Sequence, residues 1–273
     1  MNAHRILTPA QIAEFEERGF VVLRHAFSTV VAARVRAAIW QKLGLDPKDP
    51  SGWTAPMAHL QDGLWSAPFS GALTGRFNGA LDDLLGAGRW KPLEHTGWWP
   101  VAFPGTPGAP GAKGAGSAAD DDAVGDWRVG GAGPSPRRLV GIDHGLNPLF
   151  LFSDVGPADG GALLVEGSHL TVARGMAAAG LAGLSAVDLA DVARRLPKPR
   201  ATRVVGRVGD VVLIHPLTVH AASANLGQQV RFIAAPQVGL REALRTQGED
   251  LSAVERAMAR GASARGSATV GAV

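Results

Sequence analysis

Gly160-Gly161-Ala162-Leu163-Leu164-Val165-Glu166-Gly167-Ser168-His169 and Gly209-Asp210-Val211-Val212-Leu213-Ile214-His215-Pro216 are the two stretches on which the fold turns. Each is a short apolar run bounded by glycine, acid or proline, the composition of a buried strand. The same pattern recurs at 148–155, 204–208 and 230–236, so strands dominate the second half of the chain. A charged amphipathic helix is predicted between them at 185–196, and another at 250–260. Upstream, Thr8 reads as a helix N-cap with Pro9 in the first turn, Ile12 and Phe15 on one face, and Gly19 at the end. A strand follows at 20–23. Val31, Val35, Ala38, Ile39 and Leu43 then recur at helical spacing, 80–85 reads as a shorter helix, and 93–103 as a strand. Helices first, then many strands joined by glycine-rich turns, predict a mainly β body of two antiparallel sheets, a jelly roll buttressed by N-terminal helices.

Composition narrows the function. The 273 residues contain no cysteine, which excludes a disulfide framework, a thiolate metal cage and a cysteine nucleophile. The net charge is only +3. Without Tyr or Cys, almost nothing titrates between His and Lys, so the basic pI is no nucleic-acid footprint. No export signal or apolar run of membrane-spanning length is visible, and a cytoplasmic location is the expectation. One domain is expected over 1–260. The Gly/Ala/Pro/Asp segment 104–125 reads as a flexible loop and 261–273 as a disordered tail. That loop is no phosphate cradle, because Lys113 is followed by Gly114 where a hydroxyl residue is required. Asp120, Asp121 and Asp122 read as solvated charge.

The Gly-Ser-His turn at 167–169, the Gly209-Asp210 strand, His220, and Arg231 eleven residues later occur in an order that resembles the phytanoyl-CoA dioxygenase (PhyH) family of iron(II)/2-oxoglutarate oxygenases. The resemblance spans roughly residues 7–236 and implies a double-stranded β-helix, cupin-like. It also implies an iron held by two histidines and a carboxylate on one face, leaving the other positions open to co-substrate and oxygen. His220 matches the late histidine ligand. Arg231 matches the arginine that clamps the far carboxylate of 2-oxoglutarate, a bidentate task suited to guanidinium.

Where the family carries Trp-His-x-Asp-Gly, this chain reads Trp127-Arg128-Val129-Gly130-Gly131. Arg128 has no lone pair to give, and Gly130 has no side chain. A unit positive charge about 4 Å from a divalent ion repels it by about 8 kcal/mol at an effective dielectric of about 20. His220 is then the only family ligand retained. His95-Thr96-Gly97 and Asp143-His144 are alternative ligand sources, the first one strand too early and the second split between opposite faces of an extended strand. His169 reads as structural.

Three readings follow. The first is a family member with a dismantled iron site that binds a small molecule, such as 2-oxoglutarate or a similar dicarboxylate, through Arg128 and Arg231, with Arg137 or Arg138 nearby. It would act without iron, as a binder or a non-oxidative catalyst. The second is a working iron(II)/2-oxoglutarate dioxygenase with a non-standard ligand set. The third is a structural or partner-binding role. Trp99 and Trp127 are the expected aromatic lining of the substrate pocket, with Trp53, Trp65 and Trp98 as further candidates. The substrate and the oligomeric state are not legible.

Overall fold

A computed structural model describes residues 5–60, 64–105, 123–130, 136–139, 141–196 and 201–264. Its strands are β1 (Phe20–Leu23), β2 (Met57–Leu60), β3 (Trp99–Ala102), β4 (Ala123–Val129), β5 (His144–Leu146), β6 (Leu149–Leu151), β7 (Leu163–Val165), β8 (Ala201–Arg203), β9 (Val211–Ile214), β10 (Val219–Ser223), β11 (Arg231–Ala234) and β12 (Val238–Gly239). Its helices are α1 (Pro9–Arg18), α2 (Thr29–Leu43), α3 (Gly75–Leu85), α4 (Ser168–Ala179), α5 (Ala186–Arg195) and α6 (Ala253–Ser263). A six-stranded sheet runs β1-β9-β6-β11-β3-β2, a four-stranded sheet β4-β10-β7-β8, and β5 pairs with β12. All these pairings are antiparallel. This is the jelly roll that the strand pattern predicts.

Alternation along the strands of the large sheet decides what lies on each side. Phe20, Leu151, Val212, Ile214 and Ile233 turn inward and meet Leu164 of the small sheet. The opposite parity, Val21, Leu23, Val211, Leu213 and Phe150, joins a larger cluster with Phe15, Val35, Phe77 and Leu81 of the helices. Each large side chain fully buried on that face contributes about 1.5–3 kcal/mol. Helix α1 starts as its sequence dictates. Thr8 Oγ1 accepts from Gln11 N at 3.2 Å, while Thr8 N donates to Gln11 Oε1 at 3.0 Å, a reciprocal cap. Gly19 closes the helix at φ +85°, and a Cβ there would lie 2.5 Å from Thr218 Oγ1.

Several elements differ from the sequence expectation. The strand expected at 204–208 lies at Ala201–Arg203 instead. The residues after it wrap the carboxylate of Asp210, which is 1 % exposed and accepts from His25 N, Arg207 N and Arg24 Nη1 at 3.0, 3.0 and 2.6 Å. Gly209, at φ +95°, allows that turn, since a Cβ would lie 2.6 Å from the Phe27 carbonyl. Helix α4 begins where only a Gly-Ser-His turn was expected. Gly167 caps it with no side-chain hydrogen bond, so the usual start signal is missing. Strand β4 starts at Ala123, inside the segment expected as a loop, and α6 runs to Ser263, past the expected start of the tail. Residues 106–122, including the three aspartates and Lys113, and residues 265–273 lie outside the described residues. No described helix is long and apolar enough to cross a membrane.

Candidate functional site

The inward faces of the two sheets enclose a cavity of about 820 Å³. Strand parity selects what enters it. On β4, Trp127 and Val129 belong to the core cluster, Val129 also bordering the cavity, while Arg128, and Gly130 just beyond the strand, line it from the other face. On β10, Val219 and Ala221 are likewise buried in the core cluster, Ala221 also bordering the cavity, while His220 and Ala222 line it. The two strands pair so that His220 stands directly opposite Arg128. Directly opposed residues of an antiparallel pair have Cα atoms about 4.5–5.5 Å apart. The register therefore brings a permanent cation to the neighbourhood of the one matching imidazole.

His220 is half-buried, and its Nδ1 lies 3.0 Å from the Thr218 carbonyl. A carbonyl only accepts, so that contact assigns the proton to Nδ1 and leaves the lone pair on Nε2. Burial, reinforced by the Arg128 charge, lowers the His220 pKa to about 4 against the opposing Thr218 contact. The ring is neutral at physiological pH. Arg128 is exposed and has no ion pair among the described residues.

Arg231, on β11, is 4 % exposed. Its Nη1 donates to the Gly160 carbonyl and its Nη2 to the Pro100 carbonyl at 3.3 Å, while Nε has no partner. Burial lowers its pKa to about 10, which still leaves it charged at neutral pH. No carboxylate pairs with it among the described residues. The described polar side chains of the cavity are those of Arg128, Arg231, His59, His220, Asn147 and Gln237, with no Asp or Glu among them.

Gly130 has a specific neighbour. A Cβ at this position would lie 2.3 Å from Nδ2 of Asn147. Asn147 sits between β5 and β6, its backbone N–H donating to the Ile214 carbonyl at 2.9 Å. Both polar atoms of its side chain are enclosed without a hydrogen-bond partner. Arg137 donates from Nη1 to the Gly130 carbonyl at 2.9 Å and so fixes the backbone there, but neither it nor Arg138 is part of the cavity lining.

The aromatic wall differs from the sequence expectation. Trp99 is fully buried against Phe69 and Phe152, with ring centroids at 5.7 and 4.5 Å, and Trp127 is 7 % exposed in the same core cluster. Trp98, one residue before Trp99 and on the other face, lines the cavity, stacked on His59 at 4.8 Å with the rings 3° from parallel. Adjacent strand positions point to opposite sides, and only the register tells which is inside. Trp53 stacks on Trp40, and Trp65 is exposed.

The alternative ligand sources lie elsewhere. His144 is buried outside the cavity lining, 3.5 Å from an Asp143 that is 90 % exposed. His95 is exposed, its Nδ1 accepting from Gly97 N. His169 is fully buried beneath α1, its Nε2 donating to the Glu16 carbonyl. Among the described residues no three His, Cys, Asp or Glu side chains gather as a metal-binding group. The sequence reading missed Asn147 and His59, while its further candidate Trp98 does line the cavity. An Asn-Pro step ahead of a strand was the one available signal for Asn147.

Residues 109–233 match the family model described as phytanoyl-CoA dioxygenase (PhyH). No curated protein matches the chain. Among solved structures it is similar to SnoK, a non-heme alpha-ketoglutarate-dependent carbocyclase from nogalamycin biosynthesis, at 20% identity over 88% of this chain and 87% of that one, TM-score 0.56. HygX from Streptomyces hygroscopicus, with nickel and 2-oxoglutarate bound, matches at 20% identity over 88% and 90%, TM-score 0.54. EctD from S. alaskensis, with 2-oxoglutarate and 5-hydroxyectoine, matches at 18% identity over 88% and 78%, TM-score 0.53. At these identities the structures share the fold. The match to the phytanoyl-CoA dioxygenase (PhyH) family model and the fold shared with these oxygenase structures point to the same family.

Proposed function

We propose that this chain binds a small carboxylate-bearing molecule, 2-oxoglutarate or a similar dicarboxylate, between its two sheets without iron, as a pseudoenzyme or a non-oxidative catalyst. The observation that carries the reading is the cross-strand pair of Arg128 and His220 in a cavity whose described side chains supply two guanidiniums and no carboxylate. A 2-His-1-carboxylate centre needs three donors on one face. The donor set here does not fit one. Arg128 supplies a cation where a ligand is needed, and a side chain at Gly130 would run into Asn147. A ligand carboxylate meets the opposite circumstances. Among the described residues Arg231 is a buried cation with one N–H unsatisfied and no counter-ion, and a carboxylate would supply both the acceptor and the charge. Arg128, at the more exposed side, would offset a second negative group.

Anaerobic loading with iron(II), metal analysis of the washed protein and an assay for succinate formation test the reading. Iron well below one equivalent, no succinate, and a thermal shift with 2-oxoglutarate or glutarate that Arg231→Met abolishes are the expected results. Stoichiometric iron with 2-oxoglutarate turnover would overturn it.

A further inference from the structure

We propose that Asn147 is a specificity-determining residue of the cavity, and that its amide receives an uncharged group that both donates and accepts, a hydroxyl or a carboxamide, on the bound carboxylate. This rests on the reading that the cavity binds such a carboxylate. Three observations converge on Asn147. Its Oδ1 and Nδ2 are both enclosed and both without a partner, in a molecule where buried polar groups are otherwise mostly bonded. The side chain borders the cavity, and a residue preceding proline is confined to extended backbone, so the amide is held in place by the bond from its N–H to Ile214 and by Pro148. It also takes the space beside Gly130, where even a methyl group would collide with Nδ2 at 2.3 Å. The glycine and the asparagine are therefore coupled. The missing side chain at position 130 is what gives the amide its room.

The chemistry of the amide selects its partner. A metal ion at Oδ1 would leave the Nδ2 hydrogens unsatisfied and face the charge of Arg128. A carboxylate would satisfy Nδ2 but set its oxygens against Oδ1. A group with one donor and one acceptor satisfies both atoms, and this holds whichever way the amide is flipped. With Arg231 holding the carboxylate, the preferred ligand among such small carboxylates carries a hydroxyl or carboxamide for the amide to meet.

Calorimetric titration of the full chain with glutarate, 2-hydroxyglutarate and glutaramate tests this. The wild-type protein is expected to bind at least one of the last two about tenfold tighter than glutarate. Asn147→Leu, which keeps the volume and removes both polar atoms, should bring the series within about twofold, and Asn147→Ser should retain part of the preference. Equal affinities in the wild type with glutarate still bound, or a preference that survives Asn147→Leu, would overturn the role of Asn147 alone. No binding of any of the acids, or binding that survives Arg231→Met, would overturn the carboxylate reading beneath it as well.

Discussion

Glu255 and Arg231 are both buried ions, one on each side of the large sheet, and they are treated in opposite ways. Glu255, 0 % exposed at the start of α6, accepts from Arg89 Nη1 at 2.7 Å and Nη2 at 2.5 Å, from Arg245 N at 2.8 Å and from Ser252 N at 2.9 Å. Burial pushes its pKa up, yet the hydrogen bonds from Arg89, Ser252 and Arg245 outweigh it and hold the carboxyl down at about 2. Arg231 touches two carbonyls and keeps one N–H free. The helix side has completed its electrostatics within the chain. Between the sheets no such completion is found among the described residues, so the two faces of one sheet treat a buried ion differently.

The largest expected effect breaks or keeps that contrast directly. Glu255→Gln should lower unfolding free energy by about 3–5 kcal/mol in denaturant titration, because it strands the Arg89 charge in a network built around the carboxylate. Arg231→Met should cost less than about 2 kcal/mol, since it leaves no partner ion behind. The ligand response should behave in reverse, lost in Arg231→Met and kept in Glu255→Gln under conditions where that variant is folded. Equal destabilisation by the two substitutions would show that Arg231 is a structural ion after all.

Acid should reach the helix side next. His169 and His215 are fully buried, with ring centroids 4.8 Å apart. Burial, joined by the Arg260 charge, lowers the His169 pKa from 6.5 to about 4 against the Glu16 contact, and burial drives His215 well below its ordinary value. A depressed folded-state pKa means that the unfolded chain takes up protons first as pH falls. The stability contributed by neutral His169 is present above the unfolded value of 6.5 and is lost as pH drops through about 4, a loss of about 3 kcal/mol. Thermal unfolding followed from pH 7 to 4 should show this fall, and His169→Gln should flatten it. The Glu255 contribution is lost at lower pH, as its carboxyl protonates towards about 2.

The smallest effect sharpens the cavity side. Gly130→Ala should cost about 1–3 kcal/mol by overpacking against Asn147, and Asn147→Ala should relieve it, so a double-mutant cycle should give a coupling of like size. For the same reason Arg128→His with Gly130→Asp should not retain nickel(II) in equilibrium dialysis until Asn147→Ala is added. Tight nickel binding by the two-site variant would show that Asn147 yields its place freely.

Much of this architecture was legible in the chain. The α1 cap was visible in Thr8, Pro9 and Gln11, and the strands β1, β9 and β11 in their apolar runs, because caps and strand composition act over a few neighbouring residues. Helix α4 was not legible, since Gly167 offers no capping side chain and its buried face, Ser168, His169, Val172, Ala173 and Met176, is small and mixed in polarity. The pairing of Trp99 and Trp127 with the pocket failed on parity. Both residues lie one position away from a cavity-lining residue, Trp98 and Arg128 respectively.

The chain alone determined the chemistry on offer at each motif position: an arginine and a glycine where the family pattern has ligands, a lone late histidine, and a following arginine. Residue identity is local information, and no folding can give Arg128 a lone pair. Tertiary structure alone decided who meets whom. The β4–β10 register sets Arg128 against His220, 92 positions later in the sequence, and the approach of the β5–β6 turn puts Asn147 beside Gly130. Those meetings depend on strand register and sheet packing, which are set by the summed burial of two apolar faces rather than by any residue at the site.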